Sequence, residues 1–199
     1  MFEEISMENM KNLIEENFVE SIKVKQEALI YLTDKLNQTI NLVYNTFENG
    51  NKVLICGNGG SAADSQHFAA EFVGRFEKER ISLPAIALTT DTSALTAIGN
   101  DYGYDSVFSK QVEALGNKGD VLFAISTSGN SKSIVNAVLK AKEKNLMVIT
   151  MTGRDGGEVD KLLDKNDIAL NVNYNRTARI QEVHALMVHI ICAGVDKFY

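Results

Sequence analysis

The sequence predicts an α/β fold: a mostly parallel sheet of about five strands flanked by helices, with an N-terminal helical segment in front. Three observations carry that reading. Short apolar runs alternate along the chain with longer stretches of helical periodicity. The runs are apolar throughout, as strands buried on both faces must be. Most of them close on clusters of glycine and small polar residues, at the strand ends where such sheets bind ligands.

Taken in order, residues 1 to about 50 read as helix. Met10, Leu13, Ile14 and Phe18 share one face, and a second segment carries Ile22, Ala28, Leu29, Leu32, Leu36, Ile40, Leu42 and Val43. Glu3, Glu4, Glu15, Glu16 and Glu20 form a solvated acidic face. Gly50 and Asn51 end the pattern. Strand-like runs then fall at Val53–Cys56, Ala85–Thr89, Val121–Ser126, Met147–Thr152 and Ile168–Val172. Helical patterns lie between them at 61–75, about 92–98, 105–115, 131–144 and 157–164, and a final helix runs from about 177 to 197. The one proline, Pro84, opens a strand, where a missing N–H is tolerated. Residues 1–199 read as a single domain: 1–50 helical, 51–199 the α/β core, with no repeat or linker.

Composition narrows the function classes. A net charge of −6 argues against a nucleic-acid or anionic-membrane surface, so an anionic substrate needs a local cradle. Cys56 and Cys192 are far apart, without metal-type spacing, and sit in apolar runs. Free core thiols suit a reducing cytoplasm. Met1 to Lys11 is acidic and amphipathic, unlike a signal peptide, and no apolar run is long enough to span a bilayer. The expected location is cytoplasmic.

The densest chemistry lies at Ser126-Thr127-Ser128-Gly129-Asn130-Ser131, between an apolar run and a helix. Unpaired N–H groups at a helix start, with the helix dipole behind them, make an anion site. Ser126, Thr127, Ser128 and Ser131 add hydroxyl donors without bulk, which favours a phosphate over a plain helix cap. A second turn, Gly57-Asn58-Gly59-Gly60-Ser61, allows close backbone approach, and Ser61 is positioned to cap the next helix. It has neither dinucleotide nor P-loop spacing. The helix it opens carries His67 and Glu71 at i and i+4. The last helix carries Gln181, Glu182, His184 and His189; Gln181 and His189 can face one side, and His184 is a rival. Two such pairs can assemble one divalent-metal site. Asn100 and Asp101, in a Gly99–Asp105 loop, can bind hydroxyls or simply form a turn. Gly153–Gly157 turns strand into helix, and Arg179 reads as a helix salt-bridge partner.

With these residues in view, the chain resembles the sugar isomerase (SIS) domain family. The blocks are Cys56–Ser61, His67-Phe68-Ala69-Ala70-Glu71, Gly99-Asn100-Asp101, Ser126–Ser131, Thr152-Gly153 with Asp155-Gly156-Gly157, and Arg179-Ile180-Gln181-Glu182 ending in His189. Within that family it looks like the isomerases of sedoheptulose 7-phosphate in bacterial heptose synthesis. The resemblance implies that Ser126, Thr127, Ser128 and Ser131 hold the phosphate. Asn58, Gly59 and Gly60 line the substrate site, and Asn100 and Asp101 contact the sugar. It implies one Zn2+ per subunit on His67, Glu71, Gln181 and His189, which selects His189 over His184. It further implies a homotetramer with active sites between subunits, the N-terminal helices serving assembly.

The implied reaction is aldose–ketose isomerisation to D-glycero-D-manno-heptose 7-phosphate through an enediol, with Glu71 as base and His189 as acid. Metal coordination lowers a carboxylate's basicity, so the two roles of Glu71 pull against each other. A rival exists within the family: scaffolds that bind the bacterial replication initiator. Arg75-Phe76-Glu77 through Leu83–Leu88 resembles those proteins equally well. They lack a carboxylate at the position of Glu71 and a histidine at that of His189, and this chain has both. An acidic residue that some of the isomerases carry before the Arg-Ile-Gln-Glu run is Ala178 here.

Overall fold

The computed structural model describes residues 7–199. Glu3, Glu4 and the start of the acidic segment lie outside it. The N-terminal segment is a single helix, α1 (Met7–Glu48), where the sequence suggests two. No glycine or proline occurs between those ends, so nothing interrupts the backbone ladder. Val24, Ala28, Leu32, Leu36 and Val43 recur at helical spacing and are buried, mostly against the last helix.

After α1 the chain alternates. The elements are β1 (Val53–Gly57), α2 (Gly60–Val73), β2 (Ala85–Ala87), α3 (Thr92–Tyr102), a 3-10 turn (Tyr104–Ser106), α4 (Val107–Leu115) and β3 (Val121–Ser126). They continue as α5 (Lys132–Glu143), β4 (Met147–Gly153), a one-turn α6 (Gly157–Asp160), β5 (Ile168–Val172) and α7 (Thr177–Asp196). All five strands are parallel, in the order β2-β1-β3-β4-β5. The expected sheet is the observed one.

Side chains alternate across each strand into two cores. Val53, Ile55, Phe123 and Ile125 face α1, α2 and α7, with Phe68, Phe72 and Ile180. Leu54, Cys56, Leu122 and Ala124 face α4 and α5, with Phe108, Val112 and Ile134. From β1 the chain winds outward to β2, then returns past β1 to β3 and continues the other way. The winding therefore reverses between β1 and β3, where Gly57 lies opposite Ile125. A crevice opens beyond the strand ends at such a switch point.

Two local expectations change. Ser61 does not cap α2: Gly59 occupies the cap position with no side-chain bond, and buried Ser61 lies within the first turn. Asn100 and Asp101 sit in the last turn of α3, because a lone glycine, Gly99, is tolerated within the helix and the chain turns only at Gly103, with φ +84°.

Candidate active site

The crevice between β1 and β3 holds a cavity of about 310 Å³ lined by Asn58, Ser61, Ser126, Thr127, Ser128, Ser131, Thr177 and Gln181, with Ile125 at its base. The hydroxyl residues read from the sequence as an anion cradle are thus gathered in one crevice. Ser131 occupies the cap position of α5 but makes no side-chain cap bond. Its Oγ instead accepts from Asn58 Nδ2 at 2.8 Å, which ties the β1 and β3 loops together. A serine-rich cap would spend that oxygen on the helix; here it faces the crevice.

The cradle loop is braced from behind. Gly129 has φ +65°, and a Cβ there would lie 2.0 Å from the carbonyl oxygen of Gly156. Val159 N donates to Gly129 O at 2.9 Å and Glu158 N to Asn130 Oδ1 at 3.0 Å, so α6 holds the loop by its backbone. Asp160 anchors α6 in turn, accepting from Thr150 Oγ1 at 2.7 Å and Thr152 Oγ1 at 3.0 Å. Burial raises the Asp160 carboxyl pKa, against those two bonds.

A second group lies on α2 and α7. His67 Nε2 and His189 Nε2 are 2.9 Å apart, and Glu71 Oε1 is 3.5 Å from His67 Nε2. The His rings meet edge to face at 77°, and Phe76 stacks on His189. Asp64, one turn earlier on α2, has a carboxyl raised by burial and pulled back by His67. Arg80 sets this geometry, and the sequence reading missed it. Its guanidinium donates to the carbonyls of Glu71 at 2.8 Å and Phe72 at 2.9 Å at the end of α2, and its Nε pairs with Asp196 of α7 at 2.8 Å. That clamp fixes α2 beside α7 and hence His67 beside His189.

Two imidazole nitrogens with a carboxylate beside one of them are donors that zinc accepts. Their 2.9 Å separation is near the roughly 3.3 Å between two nitrogens on one tetrahedral zinc. The chemistry fits, but the set is open. Among the described residues no three His, Cys, Asp or Glu side chains close into a metal cluster. Gln181 is not brought to this group within one chain. It lies about 12 Å before His189 along α7, by helix rise, and its amide packs on Gly60, where a Cβ would sit 2.3 Å from Nε2. The histidine left open by spacing, His184, is buried, with Nε2 3.0 Å from Thr152 O. Burial lowers its pKa to about 4, and it serves the core.

Arg179 behaves as read, pairing with Glu182 at 2.7 Å and also with Glu20 of α1. Asn100 and Asp101 are exposed and bonded to each other at 2.8 Å. Thr177, Ser133 and Tyr104 join the cradle or its supports without forewarning; isolated hydroxyls carry no sequence signal until the fold gathers them.

A family model described as SIS domain matches residues 17–153. The chain belongs to the SIS domain family. A phosphoheptose isomerase of Neisseria meningitidis serogroup C is 56% identical over 191 residues, 96% of this chain and 97% of its own length. One from Aromatoleum aromaticum is 54% identical over 183 residues, 92% of each. Among solved structures, a phosphoheptose isomerase from Neisseria gonorrhoeae superposes with a TM-score of 0.91 at 53% identity, over 94% of this chain and 99% of that one. One from Francisella tularensis gives 0.92 at 42% identity, over 94% and 98%. The SIS fold therefore places the hydroxyl-rich crevice at its switch point and the histidine pair on its flanking helices.

Proposed function

We propose that this SIS-domain chain is an aldose–ketose isomerase that converts sedoheptulose 7-phosphate to D-glycero-D-manno-heptose 7-phosphate in heptose biosynthesis. One observation carries the reading. A hydroxyl-rich anion cradle and a His67–Glu71–His189 group occur together in a chain 56% identical, over 96% of its length, to a phosphoheptose isomerase. The initiator-binding alternative has no support among these relatives.

The phosphate is anchored by Ser126, Thr127, Ser128 and Ser131, with the Asn58–Gly60 backbone closing on it and Gln181 beside it. Binding energy from that remote end positions the reacting carbons. Asn100 and Asp101 contact the sugar hydroxyls. Glu71 removes the proton beside the carbonyl while His189 protonates the carbonyl oxygen, giving an enediol. A proton returned to the neighbouring carbon, as the other enediol hydroxyl gives its proton back to His189, yields the aldose and restores both groups. His67, Glu71 and His189, with Gln181 as the family's further ligand, would hold one zinc per subunit, which supplies carbonyl polarisation when bound.

Homotetrameric assembly with sites between subunits fits the exposed surroundings of this group. Proton transfer of this kind is served by excluding water, yet His67 and His189 are exposed in the single chain. Exposed Leu186, Ile190 and Val73 lie on the same two helices, and Leu29 and Ile30 on α1 are also uncovered. Leu29, Leu186 and Ile190 line one apolar groove, and a contiguous uncovered apolar surface marks a protein interface. Cytoplasmic residence accords with a sugar-phosphate substrate and two free buried thiols; no helix among the described residues is long and apolar enough to cross a membrane.

NMR of sedoheptulose 7-phosphate incubated with the purified protein tests the activity directly. The aldose 7-phosphate appears, and chelation abolishes or slows its formation. A ketose that persists with folded protein and added zinc overturns the reading.

A further inference from the structure

We propose that Tyr104 is a positioning residue for the phosphate cradle: through Asn58 it directs the Ser131 hydroxyl proton toward the substrate. The inference rests on the sugar-phosphate reading of the site and adds a residue to it. Tyr104 stands on the 3-10 turn after Gly103, whose φ of +84° bends the chain back toward the crevice. Asn136 of α5 steadies that turn, donating to Asp105 O at 2.9 Å. The Tyr104 hydroxyl donates to Asn58 Oδ1 at 2.8 Å. Asn58 Nδ2 then donates to Ser131 Oγ at 2.8 Å and to Ser133 Oγ at 3.0 Å.

The polarity of this chain decides what Ser131 offers. An amide has two donor hydrogens and one acceptor oxygen, and here all are used. With Asn58 donating to both serines, Ser131 Oγ accepts; its one other neighbour is Ser133 Oγ at a long 3.4 Å, so an anion in the crevice is the better acceptor for its proton. With the amide turned over, Asn58 Oδ1 faces the serines and takes that proton away. Both orientations fill the same space, so a partner must select between them. The Tyr104 phenol is the residue that binds the amide oxygen, and as the better donor of the set it holds that oxygen away from the serines. Tyr104 is itself 58% exposed, so it orients the amide without being part of the core.

The test is a double-mutant cycle on Tyr104→Phe and Ser131→Ala. Inorganic phosphate affinity is measured by isothermal titration calorimetry, alongside KM and kcat for sedoheptulose 7-phosphate. Tyr104→Phe keeps the ring and its melting temperature. It weakens phosphate and raises KM by about three- to ten-fold, the range of one neutral hydrogen bond, while kcat moves less. In the Ser131→Ala background the same substitution changes neither phosphate affinity nor KM, because the proton it directs is gone. Additive effects overturn the proposal, as does a Tyr104→Phe variant that binds phosphate like wild type while Ser131→Ala does not. If wild type fails to bind phosphate, or Ser131→Ala binds it normally, the cradle reading falls and this proposal with it. Phosphate binding without turnover overturns the isomerase reading alone, and the cycle on phosphate affinity still decides the role of Tyr104.

Discussion

At the residue scale the two histidines of α7 divide cleanly. His189 meets His67 at the surface of α2, while His184 is buried against the Thr152 carbonyl. The proposed reaction places most weight on Glu71. Glu71→Gln keeps the shape and removes the base, so turnover falls by at least about 100-fold with an unchanged circular dichroism spectrum. A variant that retains wild-type turnover takes the base assignment from Glu71. His184 makes a stability prediction instead. Its folded pKa of about 4 lies below the ordinary 6.5, so the unfolded chain binds its proton first as pH falls. The stability given by neutral His184 is complete above pH 6.5 and is lost progressively down to about pH 4, on the order of 3 kcal/mol in all. Urea unfolding at pH 7 and pH 5 measures this, and His184→Gln flattens the slope between them by up to one proton.

At the element scale, two braces position the chemistry. The Arg80–Asp196 pair is nearly inaccessible, with side chains 1% and 6% exposed, and joins the end of α2 to α7. Removing one partner of a buried pair strands the other charge, so Arg80→Ala costs about 3–5 kcal/mol by urea denaturation. It also loosens the His67–His189 approach, so any residual activity falls more than the folded fraction does. The second brace is α6. Asp160→Ala releases its bonds to Thr150 and Thr152, and Gly129→Ala forces a Cβ onto the Gly156 carbonyl. Both variants raise KM more than they lower kcat, because the cradle moves while Glu71 does not. Steady-state kinetics with an unchanged KM in both would show that the loop needs no brace.

At the scale of the whole molecule, the unbroken α1 leaves Leu29 and Ile30 68% and 84% exposed, and the histidine pair lies open on the α2–α7 surface. Leu29→Glu introduces a charge into the apolar groove that Leu29 shares with Leu186 and Ile190. Sedimentation velocity then shows smaller species than wild type, and specific activity falls in parallel if the sites lie between subunits. Wild-type assembly in this variant would place the interface elsewhere. The length of α1 also explains why the sequence suggested two segments. Its apolar stripe changes partner along the helix, from open surface over the first turns to α7 over the rest, and a change of partner imitates a break in periodicity.

The sequence by itself determined the element order, the buried character of the strands and the chemistry offered by each strand-end loop, because periodicity, glycine placement and residue type are local properties. It also offered both His184 and His189 on one helix, and spacing alone left them equivalent. What only the tertiary structure decided was adjacency. Strand order puts β1 next to β3, which brings Asn58 to Ser131 and makes one crevice of two loops distant in sequence. Packing of α2 on α7 buries one histidine and presents the other to His67. Arg80, Thr177, Ser133 and Tyr104 became legible only there, because a hydrogen bond between residues far apart in sequence leaves no periodic trace in the chain that makes it.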